Sequence, residues 1–218
     1  MGVMARPTNA NAEETRNKIL TIASELFARN GEDGVSVRTI ASACDLSVAM
    51  VNHYFGSKHG LYEACIDQMY IELARLKGRA SLLSLGSEVQ EWEPIFAMGL
   101  HIAREHRYTV TLLLRQVLDH GAVSPERFAR DVLPSLNSVV ELLESQSELT
   151  GSELRFAVQG VVHALTRFSL SSPDELRAIL EKPTLSDSEI LSEAAIHLSH
   201  FAIRALALPT ETDNETQH

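Results

Sequence analysis

"LSVAMVNHYFGSKHGLY", residues 46–62, decides how the chain is read. Ser47 suits a helix N-cap, a short helix follows to about Phe55, and Gly56 breaks it. Ser57 then caps a further helix with Lys58 in its first turn. On the short helix, Leu46, Val51 and Phe55 make an inward row. Val48 and Asn52 lie on the opposite side, with Ala49 and Met50 in the first turn. Asn can bond an adenine edge through two hydrogen bonds, while Val, Ala and Met can cover thymine methyls. His53 and Tyr54 close the helix, where imidazole and hydroxyl reach the sugar-phosphate backbone more easily than the bases. At Ser57-Lys58, free N–H groups, the helix dipole and an ammonium converge on one anion site, and beside a reading helix that anion is a phosphate.

The segments upstream fit this reading. Asn11 with Glu14 suits a cap for a first helix, whose Ile19, Ile22, Ala23, Leu26 and Phe27 share a face and which Asn30-Gly31 stops. Ser36 caps a second helix with Val37, Ile40 and Ala41 inward and Arg38 in its first turn, placed to hold DNA backbone. Cys44-Asp45-Leu46 is a tight turn. Short helices joined in this way form a helix-turn-helix pattern. Taken singly, Asn52 is a surface polar residue, Tyr54 a partly buried ring and Lys58 a solvated charge; their order and spacing carry the inference.

The stretch from Thr15 to Tyr62 resembles the DNA-binding domain of the tetracycline-repressor-like (TetR) family of transcriptional regulators. The resemblance is carried by Thr15-Arg16, Ile19-Leu20, Leu26-Phe27, Gly31, Ser36-Val37-Arg38, Ile40-Ala41, Ser47, Val51, Tyr54-Phe55, Ser57-Lys58 and Leu61. It implies a homodimer that binds a pseudo-palindromic double-stranded operator, most often as a repressor. It also implies DNA contacts from Arg38, Val48, Ala49, Met50, Asn52 and Tyr54, and a phosphate held by Lys58; Ser47 and His53 complete the expected DNA-facing set. Two positions depart from the family pattern. Cys44-Asp45-Leu46 replaces Ala-Gly-Val, with Asp tolerating the left-handed backbone better than most residues. Gly60 stands where an acid or Gln would complete a capping box, so the fourth helix is expected to fray at its start.

The remaining sequence reads as helices. The fourth helix runs to about Arg79, residues 81–88 form a loop, and amphipathic segments cover 88–106 and 108–119. Pro125 opens a helix to about Ser147 that Pro134 kinks. Thr150-x-x-Glu153 and Ser186-x-x-Glu189 open two long helices, with a short one at 173–181 between them. No strand alternation is long enough to count, so the expected fold is all-α: an arm (1–12), a helix-turn-helix domain (13–56), a larger helical effector-binding and dimerisation domain (57–208) and a polar tail (209–218). Two late rows, Leu154, Val158, Val161, Leu165 and Phe168, then Leu191, Leu198 and Phe201, belong to helices more apolar than one core face requires. Periodicity leaves a dimer interface and a single thick core equally open; the resemblance favours the dimer.

The net charge is −10, yet residues 1–60 carry six Lys/Arg and six Asp/Glu, so the whole excess of acid lies beyond them. That asymmetry permits an N-terminal DNA reader. The family's ligand pocket is expected to draw on polar residues within apolar helices, His101, Arg115, Gln159 and His163, with Trp92 and Phe96 as aromatic walls. The effector is a small molecule of unknown identity; an adaptor of the same fold that engages a protein partner, with no such effector, is the alternative. Cys44 and Cys65 show neither disulfide nor zinc spacing. No H-E-x-x-H, G-x-S-x-G or phosphate loop is present, and Glu193, His197 and His200 read as a polar rim, so neither enzyme activity, metal nor cofactor is expected. With no spanning segment or signal core, the expected location is cytoplasmic and off the membrane.

Overall fold

The computed structural model describes residues 9–84 and 92–209. Within them the regular structure is helical, with no strand: α1 (Asn9–Asn30), α2 (Val37–Ala43), α3 (Val48–Phe55), α4 (Lys58–Ser84), α5 (Trp92–Glu105), α6 (Arg107–His120), α7 (Pro125–Arg127), α8 (Leu133–Leu143), α9 (Gly151–Ser169), α10 (Pro173–Ile179) and α11 (Asp187–Ala205). Most of the expected arm and tail, and much of the 81–88 loop, lie outside the described residues.

Two compact units divide the chain, residues 1–73 with 111–122 and residues 74–110 with 123–218. Residues 57–73, grouped from sequence with the larger domain, therefore pack with the N-terminal helices. In the first unit the apolar faces of the short helices close on one another. Ile19 and Phe27 of α1, Ile40 of α2, Val51 of α3, and Leu61 and Ile66 of α4 are all essentially buried. Phe27 meets Tyr62 edge-on, ring centroids 5.3 Å apart, a favoured aromatic geometry.

The caps follow the sequence in most places. Ser36 Oγ accepts from the Thr39 N–H, Ser47 Oγ from Met50 and Ser57 Oγ from Gly60. Asp45 has φ 56°, the left-handed conformation expected of the turn. Ser186 and Glu189 form a complete capping box. The expected Asn11 cap is corrected: α1 already runs through it, and Asn11 instead accepts from the Thr15 hydroxyl through its carbonyl at 2.8 Å. Thr150 precedes α9 without a side-chain cap bond.

The disturbance expected at Pro134 lies one turn earlier. Residues Phe128–Val132 form a π turn between α7 and α8. Proline has no N–H to offer the carbonyl four residues back, and the preceding turn widens to accommodate it.

In the second unit α9 packs against α5, α8 and α11, and α10 against α11. Here the sequence assignment of the dimer stripe is corrected. Leu154, Val158, Val161 and Leu198 are buried within the protomer, Leu154 at 0 % exposure. Leu154, Val158 and Val161 share a core with Trp92, Val140 and Leu206, and Leu165 packs on it. Phe168 and Leu191 pack on a smaller cluster of Leu176, Ile190 and Ala194. Of the eight residues, Phe201 stays outside at 45 % exposed. A helix apolar around most of its circumference offers two stripes, and period alone does not say which one the protomer keeps. The large apolar side chains left exposed on α9 and α11 are Phe156, Val162, Ile196 and Phe201.

Candidate nucleic-acid interface

The exposed helix α3 is built from its N-terminus. Ser47 stays exposed while capping α3, and Val48, Ala49, Met50, Asn52 and His53 face solvent behind it. Val48 is 37 % and Met50 42 % exposed, unusual for side chains that would otherwise be drawn to a core. Val51 points the other way and is buried. One short helix therefore carries an inward anchor and an exposed edge of apolar and amide groups.

Tyr54 and Phe55 are half-buried at the C-terminal end. His53 and Tyr54 meet edge-on at 5.7 Å, and the Arg16 guanidinium sits 5.4 Å from the Phe55 ring centroid. This cation–π contact ties α1 to the end of α3. Sequence separation hid it, although Arg16 carries part of the family resemblance. Arg38 is exposed in the first turn of α2.

Between α3 and α4 the backbone is tightly constrained. Gly56 turns the chain at φ +74°, and a Cβ on Gly60 would stand 2.3 Å from the Phe55 carbonyl oxygen. The expected fraying is corrected: Ser57 caps the Gly60 N–H at 3.0 Å, and glycine is needed for clearance from the backbone. Lys58 donates to the Glu32 carbonyl at 2.9 Å and lies 3.9 Å from Asp33. Its ammonium thus holds the α1–α2 connection while having further N–H donors to offer an incoming oxygen.

Both thiols of this unit are buried. Burial pushes Cys44 up and Cys65 up to about 12; the Cys65 thiol donates to the Leu20 carbonyl at 3.8 Å. Folded protein is expected to resist iodoacetamide at about pH 8, because the thiolate is the nucleophile, and to label rapidly once urea unfolds it. The sign for stability follows: folding holds the Cys65 proton more tightly, so its contribution is present below the unfolded thiol's pKa of about 8.5 and is lost as pH rises toward the folded value.

Of the six effector candidates, the structure brings four together as two pairs. Trp92 stacks on Phe96 at 6.3 Å, and Gln159 Nε2 lies 3.1 Å from His163 Nε2 on α9. Trp92 is a core residue, and its indole nitrogen has no partner among the described residues. His101 is exposed beside Glu105 at 3.4 Å. Arg115 belongs to the first unit, where its guanidinium donates to the carbonyls of Ala28 and Arg29. The others lie in the second unit. His197 lies 3.5 Å from Glu193, which pairs with Lys182, while His200 lies 3.3 Å from Glu93. Among the described residues no three metal-ligating side chains converge, and no helix is long and apolar enough to cross a membrane.

Residues 19–65 match the family model described as bacterial regulatory proteins, tetR family. The chain is 32 % identical over 104 residues to a Bacillus subtilis protein named as a probable HTH-type transcriptional regulator, YttP, a match covering 47 % of this chain and half of that protein. It is 28 % identical over 174 residues to the HTH-type transcriptional regulatory protein RaaS of Mycobacterium tuberculosis, covering 70 % of this chain and 82 % of the relative. A crystal structure of a TetR-like regulator from Rhodococcus shares the fold with a TM-score of 0.59 at 20 % identity, covering 91 % of this chain and 99 % of that one.

Proposed function

We propose that this chain is a DNA-binding transcriptional regulator of the TetR family, a reading supported by the matched helix-turn-helix segment and the similar regulators, and that it acts as a cytoplasmic, ligand-responsive homodimeric repressor whose two α3 helices read the half-sites of a pseudo-palindromic operator. The observation that supports this best is the outward edge of α3, where Val48, Ala49, Met50 and Asn52 stand exposed in consecutive turns above a buried Val51. Val48, Ala49 and Met50 cover thymine methyls and Asn52 bonds an adenine edge. Arg38, Ser47, His53, Tyr54 and Lys58 hold sugar and phosphate, setting the register in which that edge meets the bases.

Self-association uses the outward surface of α9 and α11, where Phe156, Val162, Ile196 and Phe201 are exposed. An effector favours a dimer geometry in which the two α3 helices no longer fit successive major grooves, and operator affinity falls by the ratio of its affinities for the two states.

Two substitutions separate base reading from phosphate holding. Asn52→Ala is expected to weaken binding by about 1–3 kcal/mol at the preferred sequence and to relax preference at one base pair. Arg38→Ala should weaken all sequences alike and reduce the slope of log affinity against log salt by about one. Fluorescence anisotropy over a salt series distinguishes them. Identical behaviour of both variants across sequences and salt would remove α3 as the reading element.

A further inference from the structure

The last carbonyls of a helix have no partner within it. At the end of α1, Phe27 accepts from the Gly31 N–H at 2.8 Å, and the next two carbonyls, of Ala28 and Arg29, are reached by donors from another helix. Arg115 of α6 supplies them, with Nε donating to Ala28 at 3.0 Å and Nη2 to Arg29 at 3.1 Å. A guanidinium is the side chain suited to this task, being planar, forked and cationic at the negative end of a helix dipole. Asp119, one turn along α6, holds Nη1 at 3.5 Å. Gly31 is buried at φ +74°, and a Cβ there would lie 3.0 Å from Nη1. The absent side chain leaves the space the guanidinium occupies.

The same stretch of α6 also grips α4. Gln116 Nε2 donates to the Tyr70 hydroxyl at 3.4 Å, and His120 lies edge-on to Tyr62 at 6.0 Å. Tyr62 in turn packs against Phe27 of α1. Residues 111–122 thus belong with the DNA-binding helices, whereas residues 107–110 of the same continuous helix belong to the second unit.

We propose that Arg115 is a positioning residue for DNA binding: by clamping the end of α1 onto α6, it fixes the angle at which α3 is presented to the second half-site of an operator. The inference rests on the DNA-binding reading above and adds to it the residue that sets dimeric register. Arg115 touches no DNA in this scheme. Each base pair added between half-sites rotates one of them by about 35° relative to the other, so a fixed presentation angle makes the protein selective for spacing.

The test measures binding of wild type, Arg115→Ala and Arg115→Lys to a set of symmetric duplexes that share half-sites and differ in spacing by single base pairs. The half-sites come from selection with the wild type. Arg115→Ala is expected to lose roughly tenfold at the preferred spacing, within the range for residues that carry coupling, and less at neighbouring spacings, so that the profile flattens. Arg115→Lys keeps the charge without the fork and is expected to lie between the two. A merely structural role lowers melting temperature and affinity at all spacings in parallel; parallel profiles would overturn the proposal. If Arg115→Ala does not fold, Arg115→Lys and Asp119→Asn are read in the same way. Failure of the wild type to enrich any site indicts the DNA-binding reading itself, a different outcome from unchanged spacing preference.

Discussion

Phe156→Glu with Phe201→Glu is expected to give a folded monomer whose affinity for a two-half-site operator falls by roughly 10²–10⁴, the gain that linking two binding modules confers. Phe156 is 84 % exposed on α9 and Phe201 45 % exposed on α11, with Val162 and Ile196 on the same two helices at 39 % and 40 %. Large apolar side chains left exposed on these two helices make them the surface proposed for self-association. Neither phenylalanine is among the buried residues of the protomer's core, which on these two helices include Leu154, Val158, Leu198 and Ala202. Glutamate at these positions therefore places charge in the proposed interface while leaving the buried core residues in place. Sedimentation velocity and circular dichroism together read both halves of the result. A dimer that survives both substitutions would place self-association on another surface.

Gly60→Ala is expected to destabilise the protein by about 2–3 kcal/mol and to lower operator affinity with it. Alanine would raise intrinsic helix propensity by about 1 kcal/mol at this α4 position. The steric effect opposes it and wins. A Cβ 2.3 Å from the Phe55 carbonyl oxygen meets backbone, which gives way only by moving the end of α3 or the start of α4. For a chain of this size, the cost lowers the melting temperature by roughly 5–10 °C. Gly56→Ala is the control. Its Cβ would enter open space, so the expected penalty is the backbone's alone, about 1–3 kcal/mol for a side chain held at φ 74° and ψ −54°. Urea unfolding of the two variants side by side measures both penalties. Equal stability of Gly60→Ala and wild type would mean that the α3–α4 junction is looser than described.

The N-terminal helices were readable because their signals are local. Ser36, Ser47 and Ser57 each bond an N–H three residues ahead, and Asp45 takes the left-handed conformation its neighbours demand. The exposed edge of α3 was partly readable for the same reason, since a buried Val51 turns Ala49 and His53 away by helical period; Val48, three residues before Val51, owes its exposure to its place in the first turn. What sequence hid are the partners that only the folded chain supplies. Arg115 looked like a pocket residue or half of a surface pair with Asp119, yet its carbonyl acceptors lie more than eighty residues upstream. Gly60 looked like a weak cap because the oxygen that excludes a side chain belongs to the preceding helix. Leu154 and Phe156 are both apolar and two residues apart on α9; the packing of α5, α8 and α11 decides which is buried.

The most direct test is selection of bound sequences from a random double-stranded DNA pool by the full-length protein, at a stated salt concentration near physiological. The expected result is a two-fold-symmetric motif with half-sites about one helical turn apart, lost on Asn52→Ala at the base pair that Asn52 reads. Well-folded protein that enriches no sequence above non-specific binding would contradict it, leaving the helix-turn-helix unit as a scaffold and α3 as a surface for some other partner.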